Sequence, residues 1–256
     1  DRILLGTSYF RNRSGNQLVG LPLPGTTGFT SIQSNLPATV ENTGWEFQLT
    51  TKNVDTEAFQ WNSSLNLSIL RNRLLEYPDL ENSPYASTYV VGEPLSVLSG
   101  YKYTGVDPTT GVYSFGDVNG DGFLSFPDDV QVLGDLTVDF FGGVQNSFQW
   151  GNLGLEFLVQ GAKQRGTSAA LTFDPPGFLS NQPIEVLDRW REQGDVANVQ
   201  RYASTYNEAA FTYYDLLVSD YPLVDASFLR LRNISISYDI PFPSKSNIGL
   251  RCYLQG

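Results

Sequence analysis

Histidine and methionine are absent from these 256 residues, and cysteine occurs once, at Cys252. Without imidazole, no Ser-His or Cys-His dyad can form within the chain, and no zinc site can be built on histidine. A single thiol allows neither an intrachain disulfide nor a thiolate metal cluster, so redox chemistry has no foundation here. Basic residues are scarce as well: 16 Lys and Arg stand against 27 Asp and Glu, a formal charge of −11 and a pI near 4.4. Nucleic-acid binding begins with clustered Lys and Arg, so this balance sets a nucleic-acid partner aside. No apolar run approaches the ~20 residues of a membrane-spanning helix, and residues 1–20 lack the basic start and apolar core of a signal peptide. Spanning strands escape that test, because a strand of ~9–11 residues with every second one apolar looks polar on average. The mean hydropathy of −0.21 therefore excludes nothing.

What the chain does have is alternation. Over 44–52, Trp45, Phe47 and Leu49 share one face of an extended segment, and Glu46, Gln48, Thr50 and Lys52 share the other. Across the polar link 53–57, the segment 59–69 repeats this with Phe59, Trp61, Leu65, Leu67 and Ile69 opposite Gln60, Asn62, Ser64, Asn66 and Ser68. The two predict a hairpin. Segments 138–150 and 153–161, joined at Gly151-Asn152, predict a second one, with Phe140, Val144, Phe148, Leu155, Phe157 and Val159 on its apolar side. Further strands are expected over 228–240, where Ile234, Ile236 and Tyr238 alternate with Ser235 and Ser237, and over 248–255 after Pro241-Phe242-Pro243.

Long irregular stretches, roughly 11–38, 73–135 and 164–225, separate these segments and are rich in Gly, Pro, Asp, Asn, Ser and Tyr. Short links thus alternate with long ones, which suits a transmembrane barrel with short periplasmic turns and long external loops better than a compact soluble sandwich. One helix is predicted inside the last stretch, starting at Pro183 and carrying Ile184, Val186, Leu187, Trp190 and Arg191 until Gly194. It packs on its own loop, or Trp190 meets a ligand. Trp190, Tyr101 and Tyr103 are the aromatic candidates for ligand or partner contact.

Residues 117–129 read Asp-Val-Asn-Gly-Asp-Gly-Phe-Leu-Ser-Phe-Pro-Asp-Asp. Oxygen-bearing side chains fall at loop positions one, three, five, nine and twelve: Asp117, Asn119, Asp121, Ser125 and Asp128. Gly122 stands where the EF-hand pattern turns sharply. Phe123 can add its carbonyl, and Asp129 can replace Asp128, whose side chain is one methylene shorter than the usual Glu. The expected cofactor is a structural Ca²⁺; the alternative is an Asn-Gly/Asp-Gly turn cluster without metal. Flanking helices are not expected, since Pro127 and the lead-in 113–116 favour turns.

The run Gly116 to Gly122, followed by Asp128-Asp129, Leu133-Gly134-Asp135 and Asp139-Phe140-Phe141-Gly142-Gly143-Val144-Gln145-Asn146, resembles the C-terminal barrel region of SusC/RagA-type TonB-dependent transporters of the Bacteroidetes outer membrane. So do Asn42-Thr43-Gly44-Trp45-Glu46, Asp188-Arg189-Trp190, and 225–233 with Tyr238-Asp239-Ile240-Pro241. The motifs span nearly the whole chain in the family's order. The resemblance implies an all-β chain: about seven strands of a plugged antiparallel barrel of about 22, in the outer membrane of a Gram-negative, Bacteroidetes-like bacterium. It implies nutrient import of glycans or peptides, energised through TonB, with a SusD-like surface lipoprotein as a lid. Residues 1–256 are then expected to be a C-terminal barrel section whose plug and final strand lie outside this chain. Open sheet edges cannot persist in lipid, so the remaining barrel and plug count among the partners, with lipid and lipopolysaccharide around the apolar face. The rival expectation is a secreted, calcium-stabilised β-sandwich that binds carbohydrate. A glycoside hydrolase would need a carboxylate pair, and none is recognisable beyond the 117–129 loop.

Overall fold

The computed structural model describes residues 1–22, 25–241 and 249–256, with the side chains of 19–22, 170 and 171 left outside that description. The expected turn at Phe242-Pro243 and Ile248 also lie outside the described residues. In chain order the strands are β1 (Ile3–Pro22), β2 (Ser31–Asp55), β3 (Phe59–Glu76), β4 (Val97–Gly100), β5 (Tyr103–Val106), β6 (Tyr113–Phe115), β7 (Gln131–Asp135), β8 (Phe140–Trp150), β9 (Leu153–Lys163), β10 (Arg165–Thr167), β11 (Leu223–Asp225), β12 (Phe228–Ile240) and β13 (Leu250–Gln255). The described α-helix is α1 (Glu208–Leu217).

Seven strands form one sheet in the order β1-β2-β3-β8-β9-β12-β13, every neighbour antiparallel. This is a single layer and not two facing ones, so the β-sandwich expectation does not hold. The chain divides into two units: the sheet unit (1–78, 137–164, 227–256) and a loop unit (79–136, 165–226). Within the sheet unit, the turns after β2 and β8 share one end. The links from β1 to β2, β3 to β8 and β9 to β12 all leave from the other end.

Directly paired residues make rungs whose side chains share a face. The rung Tyr9↔Trp45↔Ile69↔Phe140↔Lys163 crosses the sheet near the end of the long connections. The rung Phe59↔Trp150↔Leu153↔Tyr238↔Cys252 crosses it near the short turns. Both carry aromatic rings on the same face, with Tyr9 and Trp45 centroids 4.9 Å apart at one end and Trp61 and Phe148 5.6 Å apart at the other. Ten residues of β3 separate Ile69 from Phe59. At ~3.3 Å per residue and a tilt of ~40°, that is a band about 25 Å tall, the height of the lipid-facing belt of a barrel. Between the rungs lie Phe47, Leu49, Leu65, Leu67, Val144, Leu155, Val159, Ile234 and Ile236. The opposite face carries Gln48, Asn66, Ser68, Gln145, Glu156 and Gln160. A bulge between Leu231 and Asn233 shifts the pairing by one residue, so Leu229 and Leu231 share the apolar face with Ile234 and Ile236. Without it, one of the two pairs would point into the polar side.

Two sequence expectations need correction here. The stretch 11–38 is not irregular: most of it continues β1 and β2, paired from Gly15↔Thr39 to Pro22↔Ser31 past an irregularity between Gly15 and Gln17. Its described side chains are mostly exposed on both faces, so no burial pattern marks it as strand. The apolar face is also not wholly apolar. Ser63 and Asn146 sit opposite one another on it, and the Asn146 Oδ1 accepts from Ser63 Oγ at 2.6 Å and from Trp61 Nε1 at 3.0 Å. Asn53 extends the network to β2 by donating to Ser63 Oγ at 2.7 Å. The β3–β8 seam is drawn close at Gly142, where a Cβ would lie 2.3 Å from the Asn66 carbonyl oxygen.

Candidate functional site

The loop unit has its own core. Asn207 caps α1 by accepting from the Ala210 N–H at 3.2 Å, and the helix buries Ala209, Ala210, Tyr213 and Leu216. Their spacing of one, four and seven residues is the stripe of an amphipathic helix, and with the Asn cap it was the available signal. The sequence reading instead predicted a helix over 183–194. There the structure forms only the 3₁₀ turn Ile184–Asp188. The chain then becomes extended: Arg189 pairs with Val199, and the N–H groups of Arg191 and Glu192 donate to the Asp195 carboxylate at 2.9 and 3.1 Å. Those donors are taken by a turn and cannot continue a helix.

The aromatic candidates are absorbed into packing. The Trp190 indole donates to the Pro108 carbonyl at 3.1 Å, and its ring covers Gly111, where a Cβ would meet ring carbons at 2.4 Å with φ at +74°. Tyr101 is buried beside Phe115, with ring centroids 6.0 Å apart. Tyr103 meets Tyr221 edge-on at 5.1 Å and Tyr113 at 5.8 Å. Burial pushes the Tyr103 and Tyr213 phenols each up to about 12, and Tyr113 is raised by the same cause. These hydroxyls stay protonated and can donate, as Tyr213 does to the Phe173 carbonyl at 2.8 Å.

Beside this cluster the loop unit forms a half-open cavity of about 520 Å³, lined by Tyr113, Phe173, Asp174, Val186, Tyr213 and Tyr221 among others. Gln182 also lines it, and its buried Oε1 has no hydrogen-bond partner. An apolar, aromatic cleft with an idle acceptor suits a ligand that brings an N–H or O–H donor.

The 117–129 loop is tied by its own side chains. Asp117 accepts from Gly120 N–H at 2.6 Å and Gly122 N–H at 2.8 Å, Asn119 from Asp121 N–H at 3.0 Å, and Asp121 from Phe123 N–H at 2.8 Å. Each carboxylate oxygen keeps a second acceptor site, so these bonds leave Asp117 and Asp121 able to meet a cation. Asp129 differs. It is fully buried, and its oxygens accept from the N–H groups of Val118 and Ser125 at 2.7 Å each, from Asn119 N–H at 3.5 Å and from Ser125 Oγ at 3.2 Å. Four donors fill its capacity, and the N–H of Ser125, then that of Val118, holds its carboxyl below the usual carboxylate range. Asp129 is a staple, whereas Asp128 and Phe123 are exposed. No three carboxylate or thiol side chains among the described residues converge to hold a metal. A cation here would rely on Asn119, Ser125 and the Phe123 carbonyl as well.

No family model matches the chain. Over its whole length it is 28% identical to TonB-dependent receptor P26 of Formosa agariphila and 24% identical to TonB-dependent receptor P3 of the same organism. Its fold matches a chain of the RagAB peptide transporter with a TM-score of 0.80 at 22% identity over 99% of this chain. The open-open state of the RagAB peptide importer matches at 0.76 and 20% identity. The chain is thus similar over its whole length to TonB-dependent receptors, and it shares its fold with part of a RagAB chain. Its sheet has the fold of a section of a transmembrane β-barrel. It spans 28% of the length of the P26 receptor and 29% of the matched RagAB chain. The sequence relatives are named as TonB-dependent receptors and the solved ones as a peptide transporter or importer.

Proposed function

We propose that this chain forms wall and mouth of a TonB-energised outer-membrane importer of peptides or glycans in a Bacteroidetes-type bacterium. The observation that carries this reading is the sheet itself: an apolar band about 25 Å tall between two aromatic rungs, with every long connection leaving from one end. The apolar face meets lipid, the Gln- and Asn-rich face lines the lumen, and further strands cover the edges of β1 and β13, since unpaired strand edges do not survive in hydrocarbon.

The loop unit forms the mouth, and a SusD-like lipoprotein closes over it. The loop unit carries 18 of the 27 acidic residues and 5 of the 16 basic ones, so its field favours cationic or neutral cargo over anionic cargo. The donor-seeking cavity at Gln182 suits either class, since peptides bring N–H donors and glycans O–H donors. Within this unit the 117–129 loop holds one structural Ca²⁺ through Asp117, Asn119, Asp121, Ser125, Asp128 and the Phe123 carbonyl, with Asp129 bracing the loop behind it.

Uptake of a fluorescent peptide library and of fluorescent oligosaccharides by cells carrying the full-length protein tests the reading. Loss of uptake of either class on deleting the gene, and again on deleting TonB, is the expected result. Unchanged uptake of both classes in the gene deletion would refute it.

A further inference from the structure

Beyond the outer aromatic rung the apolar face of the sheet turns basic. The rung Arg11↔Thr43↔Arg71 follows Tyr9↔Trp45↔Ile69, and Arg13↔Glu41↔Arg73 follows next. Paired residues share a face, so four guanidinium groups lie together with one carboxylate. Glu41 accepts from the Nε of both Arg11 and Arg13 at 2.6 Å, yet those arginine side chains remain 52% and 54% exposed. Arg71 donates to the carbonyls of Leu70 and Asp139 at 2.8 and 3.0 Å, which leaves its charge unmatched. Arg73 is exposed and makes no ion pair among the described residues. Three positive charges are thus uncompensated in a chain whose formal charge is −11. Exposed ion pairs stabilise a fold little, so folding alone does not account for four arginines around one carboxylate.

Height adds the second constraint. At ~3.3 Å per residue and ~40° tilt, the two arginine rungs stand about 5 and about 10 Å beyond the aromatic belt. The polar head-group layer of a bilayer occupies the first ~5–8 Å beyond the hydrocarbon. The Arg11–Arg71 rung therefore stands within that layer and the Arg13–Arg73 rung just above it, so the long flexible side chains of both reach the level of lipid phosphates, on the side of the long external loops. Below them Tyr9, Trp45, Phe47 and Leu67 offer apolar surface for acyl chains, and the forked guanidinium matches phosphate oxygens in pairs.

We propose that the outward face of β1–β3 is a binding site for the phosphate groups of an anionic lipid of the outer leaflet, held by Arg11, Arg13, Arg71 and Arg73. The site rests on the membrane reading given above and adds a specific lipid to it.

Full-length protein reconstituted in phosphatidylcholine nanodiscs, titrated with diphosphoryl lipid A and with its dephosphorylated form, tests the assignment. A basic residue near an anionic surface strengthens binding about fivefold, so Arg71→Gln with Arg73→Gln should weaken diphosphoryl lipid A binding about 25-fold. Dephosphorylated lipid should bind weakly to both proteins. Arg251→Gln, on the opposite face near the short turns, should bind as the parent does. Equal binding of the two lipids by the parent, or full affinity in the double variant, overturns the lipid site while leaving the barrel intact. Failure of the full-length protein to enter nanodiscs at all overturns both readings.

Discussion

An arginine placed on β3 measures the sheet's orientation in the membrane directly. Leu65 lies six residues from Phe59 in the inner aromatic rung and four from Ile69 in the outer one. At ~3.3 Å per residue and ~40° tilt, its depth is about 15 Å from one boundary and about 10 Å from the other. That is close to the midplane, where Leu65→Arg should cost about 2–4 kcal/mol. Ile69→Arg, at the outer boundary, should cost no more than about 1 kcal/mol by the same depth dependence. Asn66→Arg, one residue away on the polar face, should change stability by less than about 0.5 kcal/mol, as surface substitutions usually do. Guanidinium unfolding of the full-length protein in lipid vesicles, followed by tryptophan fluorescence, reads all three. If Leu65→Arg and Asn66→Arg lie within about 0.5 kcal/mol of each other, the two faces do not differ in environment and the barrel assignment fails.

Three further outcomes are expected. Chelation should speed chymotrypsin cleavage at Phe115 and Phe123 and leave the sheet's circular dichroism unchanged; Asp121→Ala should reproduce this, and no calorimetric Ca²⁺ signal would leave a turn cluster without metal. Asp129 is held below its ordinary value of 3.8, so its contribution is complete above that pH and disappears as pH falls through the lower folded-state value. Protease resistance of the loop should therefore be flat from pH 7 to pH 5 and collapse below about pH 4, and Asp129→Asn should be susceptible already at pH 7. Gly111→Val puts a branched side chain into both a left-handed backbone and the Trp190 ring, and should destabilise the loop unit by about 3 kcal/mol. Adding Trp190→Ala removes the clash but not the backbone strain, so a partial recovery of the melting temperature is the outcome that checks this.

The sheet was legible because its two faces meet different surroundings. Trp45, Phe47, Leu65, Leu67, Phe148 and Phe157 alternate with polar residues because their backbones repeat every two residues; the strands carrying Phe148 and Phe157 fall within a few residues of expectation, whereas those carrying Trp45 and Leu65 run on to Ser31 and Glu76. The distal part of the β1–β2 hairpin was not legible because neither of its faces is buried, so nothing imposes a period on residues such as Ser14, Gln17 and Asn35. Ser63 and Asn146 were missed because their polarity is cancelled by a partner on another strand, beyond the reach of any local pattern. The 183–194 segment misled because apolar spacing alone does not decide where N–H groups find acceptors, and Asp195 takes two of them. In the 117–129 loop the residue types pointed to the right turn, but which aspartate faces inward depended on the packing that buries Asp129 and leaves Asp128 outside.

The hydrogen-bonded chain from Asn53 through Ser63 to Trp61 and Asn146 crosses the one seam that joins β3 to β8, and that seam has the loop segment 79–136 inserted between its two strands. The β2–β3 and β8–β9 hairpins close over a few residues and can form first, whereas this seam must wait for distant segments to meet. A strand arriving late can settle two residues out of place with its greasy side still outward, since such a slip preserves the alternation. The amide and hydroxyl supply what the alternation lacks: a two-residue slip parts the pair, setting Ser63 opposite Val144 in one direction and Asn146 opposite Leu65 in the other. This small polar patch in the belt thus acts as a proofreading mark for barrel assembly, and its disruption would show as misregistered, slow-folding protein more than as a loss of final strength.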